Sequence, residues 1–272
     1  MNAPERTAFL PDVQATEDQR KLAIDAVGVK GVRYPVTLRA GKRLLPTIAT
    51  LSMAVGLPAT ARGTHMSRFI EMLEAEKEAL DQAGFKAFLF AMLQRLDAPS
   101  GELEMRFPYF VRKSAPVSGV QSLLDYEVRW LGTVAEDRQY GFWMYVTVPA
   151  TSLCPCSKEI AAYGAHNQRS HICVGVRLAE EMAVEELIAI AERNASCEVY
   201  GLLKRADEKY VTEQAYDNPR FVEDLVRDVV LALGSDARVM EFEVEAENFE
   251  SIHNHSAFAR ITHPGHVRLT RR

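Results

Sequence analysis

The chain has 272 residues, 47% apolar and 25% charged, with a formal net charge of −5. These are the proportions of an ordinary globular protein of one large or two small domains, and the negative balance argues against general affinity for nucleic acid. The opening MNAPERTAFLPDVQATEDQR holds no apolar run of signal-peptide length, and stretches such as 87–93 fall far short of the ~20 residues that cross a bilayer, so the expectation is a cytoplasmic protein without membrane contact, its four cysteines kept as thiols.

Residues 1–30 are polar and weakly patterned and read as a loose arm. Strands are expected over 34–40 and 46–55, followed by a loop rich in Gly, Thr and Arg at 56–63. Ser67 opens a helical period with Phe69, Ile70, Leu73 and Leu80 on one face, broken by Gly84. A second helix carries Phe88, Leu89, Met92, Leu93 and Leu96 and stops at the 98–101 turn cluster. Strand-like runs follow at 102–111, 121–134 and 140–148, with a hairpin turn at Asp137.

After a loop at 152–169 the order recurs. A strand at 170–178 precedes a short amphipathic helix at 184–194. Asn218 and Pro219 read as the cap and first residue of another helix, ended by Gly234. The run 238–247 alternates strictly, with Glu241, Glu243, Glu245 and Glu247 on one face, and a last strand is expected near 255–262. Strands, two helices and strands, twice over, make an α+β chain of two tandem units, 31–150 and 151–272, each laying two helices on an antiparallel sheet. Such sheets have open edges that assembly can close.

The loop SLCPCSKEIAAYGAHNQR carries most of the chemistry. Cys154 and Cys156 share one side if Cys-Pro-Cys is extended, and one intervening residue gives poor disulfide geometry. With His166 they make either a metal site, the favoured reading, or a nucleophile with its base. Buried inert thiols are the bland alternative. Lys158 and Arg169 suggest a ligand with negative charge. A third metal ligand must come from elsewhere. Glu250, His253 and His255 form a carboxylate–imidazole group between two strands, while Glu208 and Glu213 taken alone fit a solvated helix start. Glu223 sits early in its helix, where the dipole alone favours a carboxylate; a functional reading is an acceptor for an amidine edge such as that of guanine. Thr64, His65, Ser67 and Arg68 lie at a helix start suited to phosphate. His263 and His266 read as surface residues, and Cys173 and Cys197 as packing.

Together LCPCSKEI, YGAHNQRSH, GTHMSRF, LLKRADEKYVTEQAYDNPRFVEDLVRD and ENFESIHNHSAFA, with DVQ and VGVKGVRYP near the start, resemble GTP cyclohydrolase IB over nearly the whole chain. The resemblance implies a tunnelling fold whose sheets assemble into a barrel, a homotetramer, and hydrolysis of GTP to 7,8-dihydroneopterin triphosphate and formate at the entry to folate synthesis. It implies a divalent metal (Zn, Mn or Fe) held by Cys154, His166 and Glu208, with His253 as a further ligand in reserve. Glu223 would anchor the purine, Glu250, His253 and Cys156 would serve proton transfer, and Lys158, Arg169, Arg68, His65, Lys204 and Arg205 would bind the triphosphate. Two other readings compete: a cysteine nucleophile as in the related nitrile reductase, and a non-catalytic metal-binding protein.

Overall fold

The computed structural model describes residue 14 and residues 16–263. His266 and most of the first fourteen residues lie outside that set. The elements are β1 (Ile24–Ala40), β2 (Arg43–Leu57), α1 (Met66–Ala75), α2 (Gln82–Leu96), β3 (Gly101–Ser114), β4 (Gln121–Val134) and β5 (Tyr140–Leu153). Then follow α3 (Pro155–Ile160), β6 (Asn167–Leu178), α4 (Val184–Asn194), β7 (Cys197–Glu198), α5 (Arg205–Asp217), α6 (Val222–Leu233), β8 (Val239–Asn248) and β9 (Ala257–His263).

Among the described residues all nine strands belong to one antiparallel sheet, ordered β1-β2-β3-β4-β5-β6-β8-β9, with β7 on β5. Strands β1 and β9 are its edges. The order β-β-α-α-β-β occurs twice, with α1 and α2 in the first half and α4 and α6 in the second; α3, β7 and α5 are additions to the second. Strand β1 begins at Ile24, inside the stretch read as an arm, and residue 150 falls inside β5, which pairs with β4 and β6 alike.

Alternation decides which face is covered. Val146, Val148, Ile172, Val174, Val244 and Ala246 are fully buried beneath Leu89 and Met92 of α2, Leu187 and Ala191 of α4, and Leu225 and Val229 of α6. Trp130 meets Phe85, Phe107 and Phe142 edge-on at 5.3 to 5.9 Å. The opposite face is polar: Arg177 bonds Glu241 at 2.5 Å, and the Arg129 guanidinium lies 3.7 Å from the centre of the Tyr145 ring. Gly175 makes room for that ring, since a Cβ there would stand 2.4 Å from it.

Several local expectations change. Leu80 is not on α1: its main chain pairs with Thr37 and Arg39 at 2.8 Å, as a bridge to β1. Gly84 does not break a helix but sits in the first turn of α2, its N–H donating to the Asp81 cap at 2.8 Å. Asn218 does not open α6. It closes α5, and its amide donates to Ala195 O and Ser196 O at 2.9 and 3.3 Å. Ser67 lies inside α1, whose cap position is His65. The hairpin at Asp137 forms as expected, with the Gln139 N–H on its carboxylate and Arg138 at φ 66°.

Candidate active site

The β5–β6 ladder ends on the pair Leu153–Asn167, and one further bond, Cys154 N–H to His166 O at 3.2 Å, brings the next two residues together. The fixed φ of Pro155 suits a helix start, so the Cys-Pro-Cys is not extended. Cys154 caps α3, and its Sγ accepts from Ser157 N–H at 3.5 Å. Cys154 is half-buried and Cys156 is exposed on the helix. Ser157 clasps both sides of the loop: its hydroxyl donates to Cys154 O at 3.1 Å and accepts from His166 N–H at 3.2 Å. Gly164, at φ 91°, turns the chain back in a conformation that side chains resist.

The His166 and Glu250 side chains are 14% and 12% exposed. The ring Nδ1 lies 2.9 Å from Gln168 Oε1, 3.4 Å from Ser251 Oγ and 3.9 Å from Glu250 Oε2. Phe249 N–H donates to Arg169 O at 3.0 Å and draws the segment after β8 over the loop. Beneath it runs a buried polar tier across β5, β6 and β8, in which the Ser170 hydroxyl bonds Ser152 Oγ and Asn248 Oδ1, each at 2.7 Å. His253 and His255 are exposed and stacked, ring centres 5.1 Å apart.

The additions of the second half stand around this loop. Lys158 donates to Tyr216 O at 2.5 Å and lies over the Tyr216 ring, so its ammonium ties α3 to α5. Arg169, Lys204, Arg205 and Glu208 are exposed. Glu223 is exposed in the first turn of α6, whose approach is pinned by Arg220 N–H on Leu153 O at 3.0 Å. Asp207 is fully buried. It accepts from Val117 N–H, Ser118 N–H and Lys204 N–H, each at 2.8 Å, and from the Ser118 hydroxyl at 2.6 Å. Burial pushes its carboxyl up, but the bonds from Ser118, Lys204 and Val117 outweigh this and hold it well below the usual carboxylate range.

The structure brings Cys154, His166 and Glu250 to one place but leaves Glu208 out on α5. Among the described residues no group of three His, Cys, Asp or Glu side chains is arranged to hold a metal ion. A thiolate and an imidazole are apt donors for a borderline divalent ion, yet one chain as folded here supplies only part of a cage.

The helix start expected to bind phosphate stands elsewhere. One tier of the sheet runs Val55, Gly101, Val134, Tyr140, at the opposite end of β5 from Leu153. His65 and Arg68 follow β2 beyond that tier, and Arg68 contacts Arg95 O at the end of α2 at 3.5 Å. Fourteen residues of β5 separate the two places, on the order of 40 Å. Thr64 is buried, its carbonyl accepting from Gln14 at 3.0 Å.

Residues 10–259 match the family described as type I GTP cyclohydrolase folE2. The chain belongs to this family. Its FolE2 relatives include GTP cyclohydrolase FolE2 1 of Dechloromonas aromatica, 58% identical over 96% of this chain and 98% of that protein. GTP cyclohydrolase FolE2 2 of Cupriavidus metallidurans is 56% identical over 97% of this chain and 98% of its own. Among solved structures, the uricase of Arthrobacter globiformis superposes with a TM-score of 0.54 at 8% identity, covering 91% of this chain and 95% of that one. The urate oxidase of Bacillus subtilis 168 gives 0.52 at 7% identity, over 88% of this chain and 98% of its own. At such identities the likeness concerns the fold alone, and that fold is the tunnelling fold.

Three residues of this chain escaped sequence reasoning: Ser157, Gln168 and Asp207. Ser157 follows the two cysteines in the CPCS run, where a hydroxyl one turn into a helix start is a signal for local main-chain bonding. Gln168 follows His166 by two residues, a spacing that carries no signal until β6 is known to turn the side chain inward. Asp207 stands third after Lys204, the spacing of a side chain that reaches back to a helix start.

Proposed function

We propose that this chain hydrolyses GTP to 7,8-dihydroneopterin triphosphate and formate, at the entry to folate synthesis. The observation that carries this is the Cys154–His166 pair, clasped by Ser157 and flanked by Glu250, in a chain 58% identical to a protein named GTP cyclohydrolase. Cys154 and His166 would be the first donors to a divalent ion, with Glu208 drawn in and His253 in reserve. Such an ion, when bound, supplies a water acidic enough to yield hydroxide near neutral pH.

The chain's own residues do the rest. The Glu223 carboxylate accepts from guanine N1–H and the N2 amino group, a donor pair that adenine lacks. Glu250 and His253 carry protons to N7 and away from the attacking water, so that C8 becomes electrophilic and the five-membered ring opens; a second water releases formate, and the ribose rearranges and closes the pterin ring with loss of one water. Cys156, exposed on α3, can relay a proton from solvent. Arg169, Lys204 and Arg205 face the triphosphate, while Lys158 orders the loop against α5. Arg68 and His65 reach the same nucleotide from a second copy of the chain, so the working form is a homo-oligomer, a homotetramer in this reading, closed along the sheet edges. No helix among the described residues is long and apolar enough to cross a membrane, and the reading places the enzyme in the cytoplasm.

Purified protein incubated with GTP should yield formate and, after oxidation, a fluorescent pterin. Cys154→Ala should lose bound metal and at least 100-fold in turnover together, by the ~10²–10⁴ that acid–base and ion chemistry supply. Glu223→Ala should chiefly raise KM for GTP. Full turnover by a metal-stripped Cys154→Ala protein is the result that ends this reading.

A further inference from the structure

We propose that Gln168 is a positioning residue that fixes His166 as its Nδ1–H tautomer, leaving the Nε2 lone pair free to face the site. The catalytic meaning of this rests on the reading above; its geometry does not. A neutral imidazole offers one donor and one acceptor, and its neighbours decide which nitrogen is which. Three side chains lie near Nδ1, and two of them, the Gln168 amide oxygen at 2.9 Å and the Glu250 carboxylate at 3.9 Å, can only accept. The third, the Ser251 hydroxyl at 3.4 Å, can accept as well. A proton on Nδ1 donates to the nearest of them, Gln168 Oε1, and suits the acceptor character of the other two.

Of these neighbours Gln168 is the one built in. It is buried, and it faces Ser152 across the β5–β6 ladder, just above the Ser152–Ser170–Asn248 tier. Ser251 is exposed in the segment after β8. The main chain of His166 is held independently, by Ser157 Oγ and by Cys154 N–H. Two main-chain bonds therefore place the residue and a separate contact sets the ring's protonation pattern. The choice of an amide also matters. A carboxylate at 2.9 Å would set a full negative charge against the nitrogen, whereas the Glu250 carboxylate stands off at 3.9 Å. The neutral amide gives direction without that charge, and an outer hydrogen bond of this kind is what orients a ligating or proton-accepting histidine.

The test is nitrogen NMR of protein labelled with ¹⁵N-histidine, at pH about 8.5, where an ordinary imidazole is neutral, with the His166 signals assigned by their loss in His166→Gln. The expected spectrum has a protonated Nδ1 and an unprotonated Nε2. In Gln168→Leu that preference should disappear and kcat for GTP should fall about 10- to 100-fold, with KM and the melting temperature little changed. A wild-type His166 carrying its proton on Nε2 overturns the proposal, as does a Gln168→Leu protein with both tautomer and kcat unaltered. If Gln168→Leu does not fold, the wild-type spectrum decides alone. A wild-type protein with the expected tautomer and no GTP turnover upholds the assignment and removes the proposed function instead.

Discussion

Asp207 shows how one side chain can hold two distant segments in place. Three main-chain N–H groups and one hydroxyl converge on its carboxylate, three of these donors from the 115–120 turn of the first half and one from the start of α5. Without that carboxylate these donors lose their shared acceptor, which weakens the join between the two segments. Because the folded carboxyl is held below its unfolded value, its contribution is complete above an ordinary aspartate pKa of about 3.9. It is lost as pH falls through the folded value. Asp207→Asn should therefore lower the melting temperature by several degrees at pH 7, and the gap to wild type should narrow as the medium is acidified below about 3.9. A gap that stays constant down to acid pH would show that the charge plays no part. Glu192 runs the other way: burial pushes its carboxyl up, although Lys113 Nζ at 2.6 Å and the Tyr126 hydroxyl at 2.8 Å act against this.

At the scale of elements, two of the pieces that spoil the internal duplication carry candidate site residues. Helix α3 presents Cys154, α5 presents Glu208, and β7 takes a place beside β5 at Ala150 and Thr151, beyond the last β4 pairing at Thr147. The turn at Gly164 is a direct probe of α3. Its φ of 91° is open to glycine and costs a branched side chain about 1–2 kcal/mol. Gly164→Val should cut turnover at least tenfold while shifting the melting temperature by only a few degrees, since the loop buries little; a variant as active as wild type would show that the loop's path does not matter. Alternation made the long strands legible in the sequence, and β4 and α4 fall where their patterns place them. The failures have local causes. The 153–160 stretch has no apolar period, so α3 was invisible until Pro155 and Ser157 closed it with main-chain bonds. Asn218 and Pro219 look like a helix start, but the amide of Asn218 is worth more against the carbonyls of Ala195 and Ser196. Of the site, Cys154 and His166 could be paired from spacing, whereas Gln168 could not, because its role exists only once β6 turns it inward.

For the whole molecule, helix α4 joins the two halves. Glu185 meets Arg43 and the Tyr109 hydroxyl, and two turns later Glu192 meets Lys113 and Tyr126. The halves are therefore one body, with Cys154 at one end and Arg68 at the other. If a single GTP needs both, copies must share it, and two dead enzymes should rescue each other. Cys154→Ala and Arg68→Ala, each inactive alone, should recover roughly a quarter of wild-type turnover when co-expressed, as random pairing of subunits within a closed ring dictates. A mixture as inactive as its parents would put every needed group on one chain. Among the described residues, both borders of the sheet, β1 and β9, carry main-chain amides and carbonyls with no neighbouring strand. A solitary subunit thus has two raw seams, and each is a template for whatever extended peptide it meets. Stitching seam to seam between copies, as the proposed homo-oligomer requires, would protect the chain from that fate, so dilution or a proline set into β9 should then turn a well-behaved enzyme into an adhesive one.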